Sequence, residues 1–201
     1  MKIICIARNY SAHATEMNNP RPVQPVFFLK PDSSLLLNNR PFFYPDFSTD
    51  IQYETEVVIK ISRLGKNIST RFAGRYFNEV ALGIDFTARD LQRKCIGEGL
   101  PWEIAKGFDQ AAVLSRFINK NEMPVNIVFH LDVNGKTVQQ GNTADMLFSF
   151  NELISYLSGY MTLKIGDLIY TGTPAGVGTV KINDRLEGYI GEKKMLDFII
   201  K

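Results

Sequence analysis

The 201-residue chain holds two cysteines, Cys5 and Cys95, two histidines, His13 and His130, and one tryptophan, Trp102. Two thiols exclude a disulfide framework, and no Cys-x-x-Cys pair offers a thiolate metal site. Free thiols in a reducing compartment are the simplest reading. No apolar run nears the ~18 residues of a membrane span. The start, Met1-Lys2-Ile3-Ile4-Cys5-Ile6-Ala7, meets Arg8 before it reaches the roughly 7–15 apolar residues of a secretory signal. The chain is therefore expected to be soluble and cytoplasmic, without a membrane partner, and its first residues read as a strand. It also lacks an excess of charge: 23 Lys+Arg stand against 21 Asp+Glu, a formal net charge of +2. With no basic stripe and no interleaved aromatics, nucleic acid is not an expected partner. There is no internal repeat and no low-complexity tract.

What is present is an ordinary globular composition, 45% hydrophobic and 22% charged. Residues 1–201 read as one domain, whose first 45 residues include a proline-rich segment expected to be irregular, extended or hairpin-like (Pro20, Pro22, Pro25, Pro31, Pro41 and Pro45). Strand patterns dominate the rest. Val57, Ile59 and Ile61 alternate with Val58, Lys60 and Ser62. Val125, Ile127, Phe129 and Leu131 alternate up to Asn134-Gly135, a hairpin turn because both residues tolerate positive φ. Further strands are expected at residues 80–84, 168–171, 180–182 and 195–200. Ser149 and Glu152 form a capping box ahead of the stripe Phe150, Leu153, Ile154, Leu157. Thr87 is expected to cap a helix over residues 88–94, and Ser11 a helical turn over residues 12–17. The fold class is mainly β with a few short helices.

Several side chains could carry chemistry. Glu54 and Glu56 share one face of a strand, where two carboxylates repel unless a cation sits between them. They make either a solvated edge or two ligands of a hard divalent cation. Asp85 ends the apolar run 80–84, so it is either a third ligand or a helper of the helix cap. His13 and Glu16 can meet across a helical turn. A carboxylate on one imidazole nitrogen fixes the tautomer of a general base, although an exposed polar turn has the same spacing. Lys106 follows the apolar stretch around Trp102, where it is either a fixed cation for an anionic substrate or a snorkelling surface lysine. Thr171-Gly172-Thr173-Pro174-Ala175-Gly176-Val177-Gly178 is a glycine-rich turn without the pattern of a P-loop or dinucleotide fingerprint; its amides and a Thr hydroxyl could hold a carboxylate. His130 falls on the polar face of the hairpin and has no assigned role.

Together these segments resemble the fumarylacetoacetate hydrolase family. The resemblance rests on Arg8-Asn9-Tyr10 through His13, Glu16 and Met17; Phe28-Leu29-Lys30-Pro31 with Ser33-Ser34; Tyr53-Glu54-Thr55-Glu56; Asp85-Phe86-Thr87-Ala88-Arg89-Asp90; Leu100-Pro101-Trp102 through Lys106-Gly107-Phe108-Asp109; Gly141-Asn142-Thr143 through Met146; and Thr171-Gly172-Thr173-Pro174. The motifs follow in order over nearly the whole chain. The short acylpyruvate hydrolase and oxaloacetate decarboxylase branch is the most similar. Ala7 stands where many members have glycine, and residues 112–117 replace a Pro-Leu-Gly-Pro segment, which touches substrate choice more than chemistry.

The resemblance implies a mixed β-sandwich or β-roll, usually dimeric, and a segment around His13 that acts as a lid with a boundary near Pro20–Pro25. It implies that Glu54, Glu56 and Asp85 bind one Mg²⁺ or Mn²⁺, which would stabilise a pyruvate enolate as a C–C bond breaks. His13, oriented by Glu16, would activate water, and Lys106 would balance charge or assist proton transfer. Arg8, Arg89, Gln92 and Thr173 would contact the substrate. The implied activity is hydrolysis of an acylpyruvate such as fumarylpyruvate or acetylpyruvate. Oxaloacetate decarboxylation and 2-oxo-heptenedioate isomerisation are the alternatives on the same scaffold.

Overall fold

The computed structural model describes residues 1–16 and 20–201. Among these residues the strands form three sheets. The largest runs, across its width, Val26–Lys30, Ile3–Ala7, Leu168–Tyr170, Thr55–Ile61, Phe77–Asp85, Ala112–Leu114 and Leu35–Leu37, with Ile118–Asn119 paired to Phe77–Asp85. Most neighbours are antiparallel; Ile3 pairs Leu168 and Leu35 pairs Ala112 in parallel. A second sheet is Lys136–Asn142, Val128–Val133, Arg185–Ile190 and Lys193–Ile199, and a small third one joins Gly178–Thr179, Ile51–Tyr53 and Thr87–Ala88. The large sheet is curled, and the architecture is mainly β with short helices.

The large sheet is buried on both faces. On one, Ile4, Ile6, Val57, Ile59, Leu82 and Ile84 pack with Phe129, Leu131, Leu186 and Phe198 of the second sheet. On the other, Ile3, Cys5, Val58, Ala81, Leu114 and Tyr170 form a smaller cluster. Full burial of each such aliphatic side chain contributes about 1.5–3 kcal/mol. Two-sided burial also explains why Val58 stands among the polar positions of its strand: that face is a second core, not solvent.

The capping box forms as expected, and the helix Phe150–Tyr160 buries Leu153, Ile154 and Leu157. The hairpin turns at Asn134 and Gly135, both at positive φ, but its first strand begins at Val128, because Val125 is exposed. Residues 180–182 are not a strand; the pairing stops at Thr179, and Val180 adds one bond to Ile51. The proline-rich segment carries two strands, Val26–Lys30 and Leu35–Leu37, between its prolines. The helix expected at residues 88–94 runs Arg89–Glu98 and closes on left-handed Gly99. Its N-cap is Ala88, without a side-chain cap, because the Thr87 hydroxyl is engaged elsewhere. Near the N-terminus the helix Ser11–Glu16 forms, and Met17 of the expected turn lies outside the described residues. No helix among the described residues is long and apolar enough to cross a membrane.

Candidate active site

Two chain segments deliver the three carboxylates. Glu54 sits at the break between Ile51–Tyr53 and Thr55–Ile61, Glu56 one step into the second strand, and Asp85 ends Phe77–Asp85. The register Thr55–Ile84 sets them side by side, and the Asp85 N–H donates to Glu54 O at 2.8 Å. The result is a buried triad with one oxygen from each residue within 4.8 Å of the others. The solvated-edge alternative is thereby excluded, and Asp85 is not a helix cap.

Cations are packed unevenly around the triad. Lys106 is 2% exposed. Its ammonium donates to Glu54 Oε2 at 3.0 Å, Asp85 Oδ2 at 2.9 Å and Thr87 Oγ1 at 2.5 Å. The short helix Glu103–Lys106 puts it there, so it is no snorkelling surface lysine. Arg89 donates from Nη2 to Glu54 Oε1 at 2.5 Å, from Nε to Gln52 at 2.8 Å and from Nη1 to Gln92 at 2.5 Å. Lys30 approaches Asp85 Oδ1 to 2.6 Å, while its hydrogen bonds go to the carbonyls of Phe86 and Ala111 at 3.0 and 2.8 Å. Among the described residues no cation pairs with Glu56; its oxygen Oε2 accepts the Gly172 N–H at 2.6 Å. Gly172 has φ +102°, and a Cβ there would meet Asn9 Cβ at 2.6 Å, so only glycine brings that amide to Glu56.

The charges follow from this packing. Burial disfavours ionised Glu54, but Lys106 and Arg89 outweigh it and hold its carboxyl below the usual range. Burial, then Asp85 and Glu54, push Glu56 well above its ordinary value. For Lys106, burial opposes the charge, and Asp85 and Glu54 outweigh it, so its pKa is raised. The donor set fits a hard divalent cation on two observations. Glu56 is buried with carboxylate neighbours and no ion pair among the described residues, and the three acids offer one oxygen each within 4.8 Å of one another. Oxygen ligands alone suit Mg²⁺ or Mn²⁺.

A cleft opens beside the triad. Its lining includes Arg8, His13, Glu54, Asp85, Arg89, Gln92, Lys106 and Thr173, with Ile6, Ala7, Phe28, Ile96 and Trp102 as apolar wall. Eight of the ten residues singled out from sequence thus share one surface. Glu56 completes the triad, and Glu16 stands behind His13, with its Oε2 3.2 Å from Nδ1. Glu16 is itself held by the Gly176 N–H at 3.0 Å. The Thr173 hydroxyl donates to Thr55 O and accepts from Gln139, both at 3.0 Å, so it braces the turn as well as lining the cleft.

Sequence reasoning missed four contributors. Thr87 links Lys106 to Glu54, although its position before a helix reads as a cap. Lys30 carried a signal, a lysine ending the apolar strand Val26-Phe27-Phe28-Leu29, but nothing local names its partner. Gln52 and Gln139 carry no local signal at all.

A family model described as fumarylacetoacetate (FAA) hydrolase C-terminal matches residues 2–197. The chain is 40% identical over 190 residues to the mitochondrial oxaloacetate tautomerase FAHD1 of Bos taurus, covering 94% of this chain and 86% of that protein. It is 43% identical over 183 residues to the mitochondrial oxaloacetate decarboxylase of Dictyostelium discoideum, covering 90% and 84%. Among solved structures, fumarylpyruvate hydrolase from Pseudomonas aeruginosa in complex with Mn²⁺ and pyruvate superposes with a TM-score of 0.93 at 33% identity, covering 100% of this chain and 90% of that one. With a family match over nearly its whole length, relatives at 40% identity and the same fold, the chain belongs to the fumarylacetoacetate hydrolase family.

Proposed function

We propose that this protein is a divalent-metal-dependent hydrolase that cleaves a C–C bond in an acylpyruvate, a 2,4-dioxo acid such as fumarylpyruvate or acetylpyruvate. The observation that carries the reading is the meeting, in one cleft, of a buried three-carboxylate cluster and a His–Glu pair. Glu54, Glu56 and Asp85 would hold Mg²⁺ or Mn²⁺, which when bound supplies a Lewis acid for 2-oxo acid oxygens and for developing enolate charge. Glu16 accepts the Nδ1 proton of His13, which leaves Nε2 with the lone pair that takes a proton from water. Lys106, kept protonated by its carboxylate neighbours, is a fixed positive charge beside the reacting oxygens and not a base. Arg89 and Gln92 hold the Glu54 side of the site in place, and Thr173 shapes the wall. The same reading makes the protein a cytoplasmic homodimer of single-domain chains, with the His13 segment as a lid and no nucleic-acid partner.

The relatives' names favour a second reading, oxaloacetate tautomerisation or decarboxylation in the same cleft. Neither needs an attacking water. A spectrophotometric screen with Mg²⁺ or Mn²⁺ against acetylpyruvate, fumarylpyruvate and oxaloacetate tests both. H13A is expected to lower acylpyruvate hydrolysis by about 10²–10⁴-fold while oxaloacetate turnover persists. Equal loss of both activities would show that the division of roles is wrong, and no turnover of any substrate would refute the enzyme reading.

A further inference from the structure

Resting on the 2-oxo acid reading, we propose that Arg8 sets the selectivity of the cleft: its guanidinium binds the second carboxylate of a dianionic 2-oxo acid and ranks such acids above analogues with an uncharged tail. The argument begins with a charge inventory. Three buried carboxylates, Glu54, Glu56 and Asp85, are surrounded by three buried cations, Lys30, Arg89 and Lys106. Each cation is already engaged: Lys30 with Asp85, Arg89 with Glu54, and Lys106 with Glu54 and Asp85. Arg89 has also committed its remaining nitrogens to Gln52 and Gln92. None of the three offers an unopposed charge to a second anionic group.

Arg8 differs from them. It lines the same cleft, is only partly buried, and its guanidinium makes no ion pair or hydrogen bond among the described residues. The wall it shares, Ile6, Phe28, Ile96 and Trp102, brings no competing anion and lowers the local dielectric. A guanidinium fork is suited to a carboxylate in two-point contact, which a lysine does not reproduce.

The backbone supplies a second, independent observation. Arg8 has φ +59°, a left-handed conformation that is strained for a residue with a Cβ. It is held there by its neighbour. The buried Asn9 side chain accepts from Phe148 N at 2.8 Å and donates to Thr171 O at 2.8 Å and Phe148 O at 3.0 Å. Its own carbonyl accepts from Leu147 N at 2.8 Å. This clamp ends the strand Ile3–Ala7 and turns residue 8 onto the cleft wall instead of continuing the sheet. A strained residue fixed by a fully bonded neighbour and facing the site marks a functional position.

The test is a pair of unreactive ligands with the same five-carbon chain, 2-oxoglutarate and 2-oxovalerate, titrated calorimetrically into Mn²⁺-loaded and metal-free protein. Wild type is expected to bind 2-oxoglutarate about tenfold or more tightly than 2-oxovalerate, the size of a charge-assisted hydrogen-bonded contact. Arg8→Gln is expected to bring the two within about threefold, and Arg8→Lys to fall between. Arg8→Gly, which adopts the left-handed backbone without strain, removes the guanidinium and keeps the turn, so it should match Arg8→Gln. No preference in wild type, or a preference retained in both Gln and Gly variants, overturns the proposal. An intact, Arg8-dependent preference in a protein that turns over no acylpyruvate or oxaloacetate would sustain the role of Arg8 and refute the enzymatic reading alone.

Discussion

At one end of the central strands of the large sheet, Glu54, Glu56 and Asp85 are buried beside Lys30, Arg89 and Lys106. On the solvent face of the four-stranded sheet, Arg185 and Lys194 meet Glu187 and Asp197 at similar range, with Arg185 donating twice to Asp197 at 2.8 Å. The residue types and contact lengths are alike, yet the Arg185 side chain is 54% exposed whereas that of Lys106 is 3%. In water, such charges are solvated and screened, and losing a partner is compensated by solvent. In the buried cluster no solvent substitutes, so each charge must be answered by a fixed group. Glu56 has no cation partner among the described residues, and with Glu54 and Asp85 it forms a candidate metal-binding triad. Burial, more than charge content, separates the two clusters.

Breaking the buried side should have the largest effect. Asp85→Asn is expected to lower turnover at least ~10³-fold and to weaken Mn²⁺ binding, followed calorimetrically. Unchanged Mn²⁺ affinity would remove Asp85 from the ligand set. Lys106→Met comes next: it strips Glu54 and Asp85 of a shared partner and should cost about 3–5 kcal/mol in metal-free protein, read from urea denaturation. Added Mn²⁺ should restore part of that stability, because it binds the folded state; no restoration would argue against a cation at the triad.

Glu56→Gln sharpens the comparison through its sign. The raised pKa means that folded Glu56 holds its proton more tightly than unfolded Glu56 does. Its contribution is therefore fully present below the ordinary carboxylate pKa and is lost as pH rises through the raised value. Glu56→Gln should flatten that decline and raise the Tm of metal-free protein at neutral pH while abolishing turnover. A lower Tm would mean that Glu56 is already answered by a cation. The smallest effect belongs to the exposed network. Arg185→Met should shift Tm by about 1 °C or less, with little further change in high salt. A larger shift would show that this surface is less solvated than its exposure implies.

The two regions also differ in how legible they were in sequence. The hairpin and the capped helix depend on residues within one turn of each other, so Asn134-Gly135 and Ser149/Glu152 announce them locally. The pairing of Glu54 and Glu56 is equally local, a consequence of the two-residue period of a strand. The commitments of the polar groups are not. Thr87 reads as a helix cap until Lys106, 19 positions away, is brought to its hydroxyl. Nothing local to Arg89 announces that Gln52, 37 positions earlier, and Glu54 engage its nitrogens.

The sequence by itself determined that the chain is mainly β and, through its ordered motifs, the family to which it belongs. The tertiary structure decided that, among the described residues, Glu56 is left without a cation partner, Arg89 is engaged and Arg8 is not, and that Gly172 supplies an amide to Glu56 across 116 positions. Periodicity and capping are short-range and can be read along the chain. Burial and charge compensation are properties of the packed interior, and they exist only once distant segments have been brought into contact.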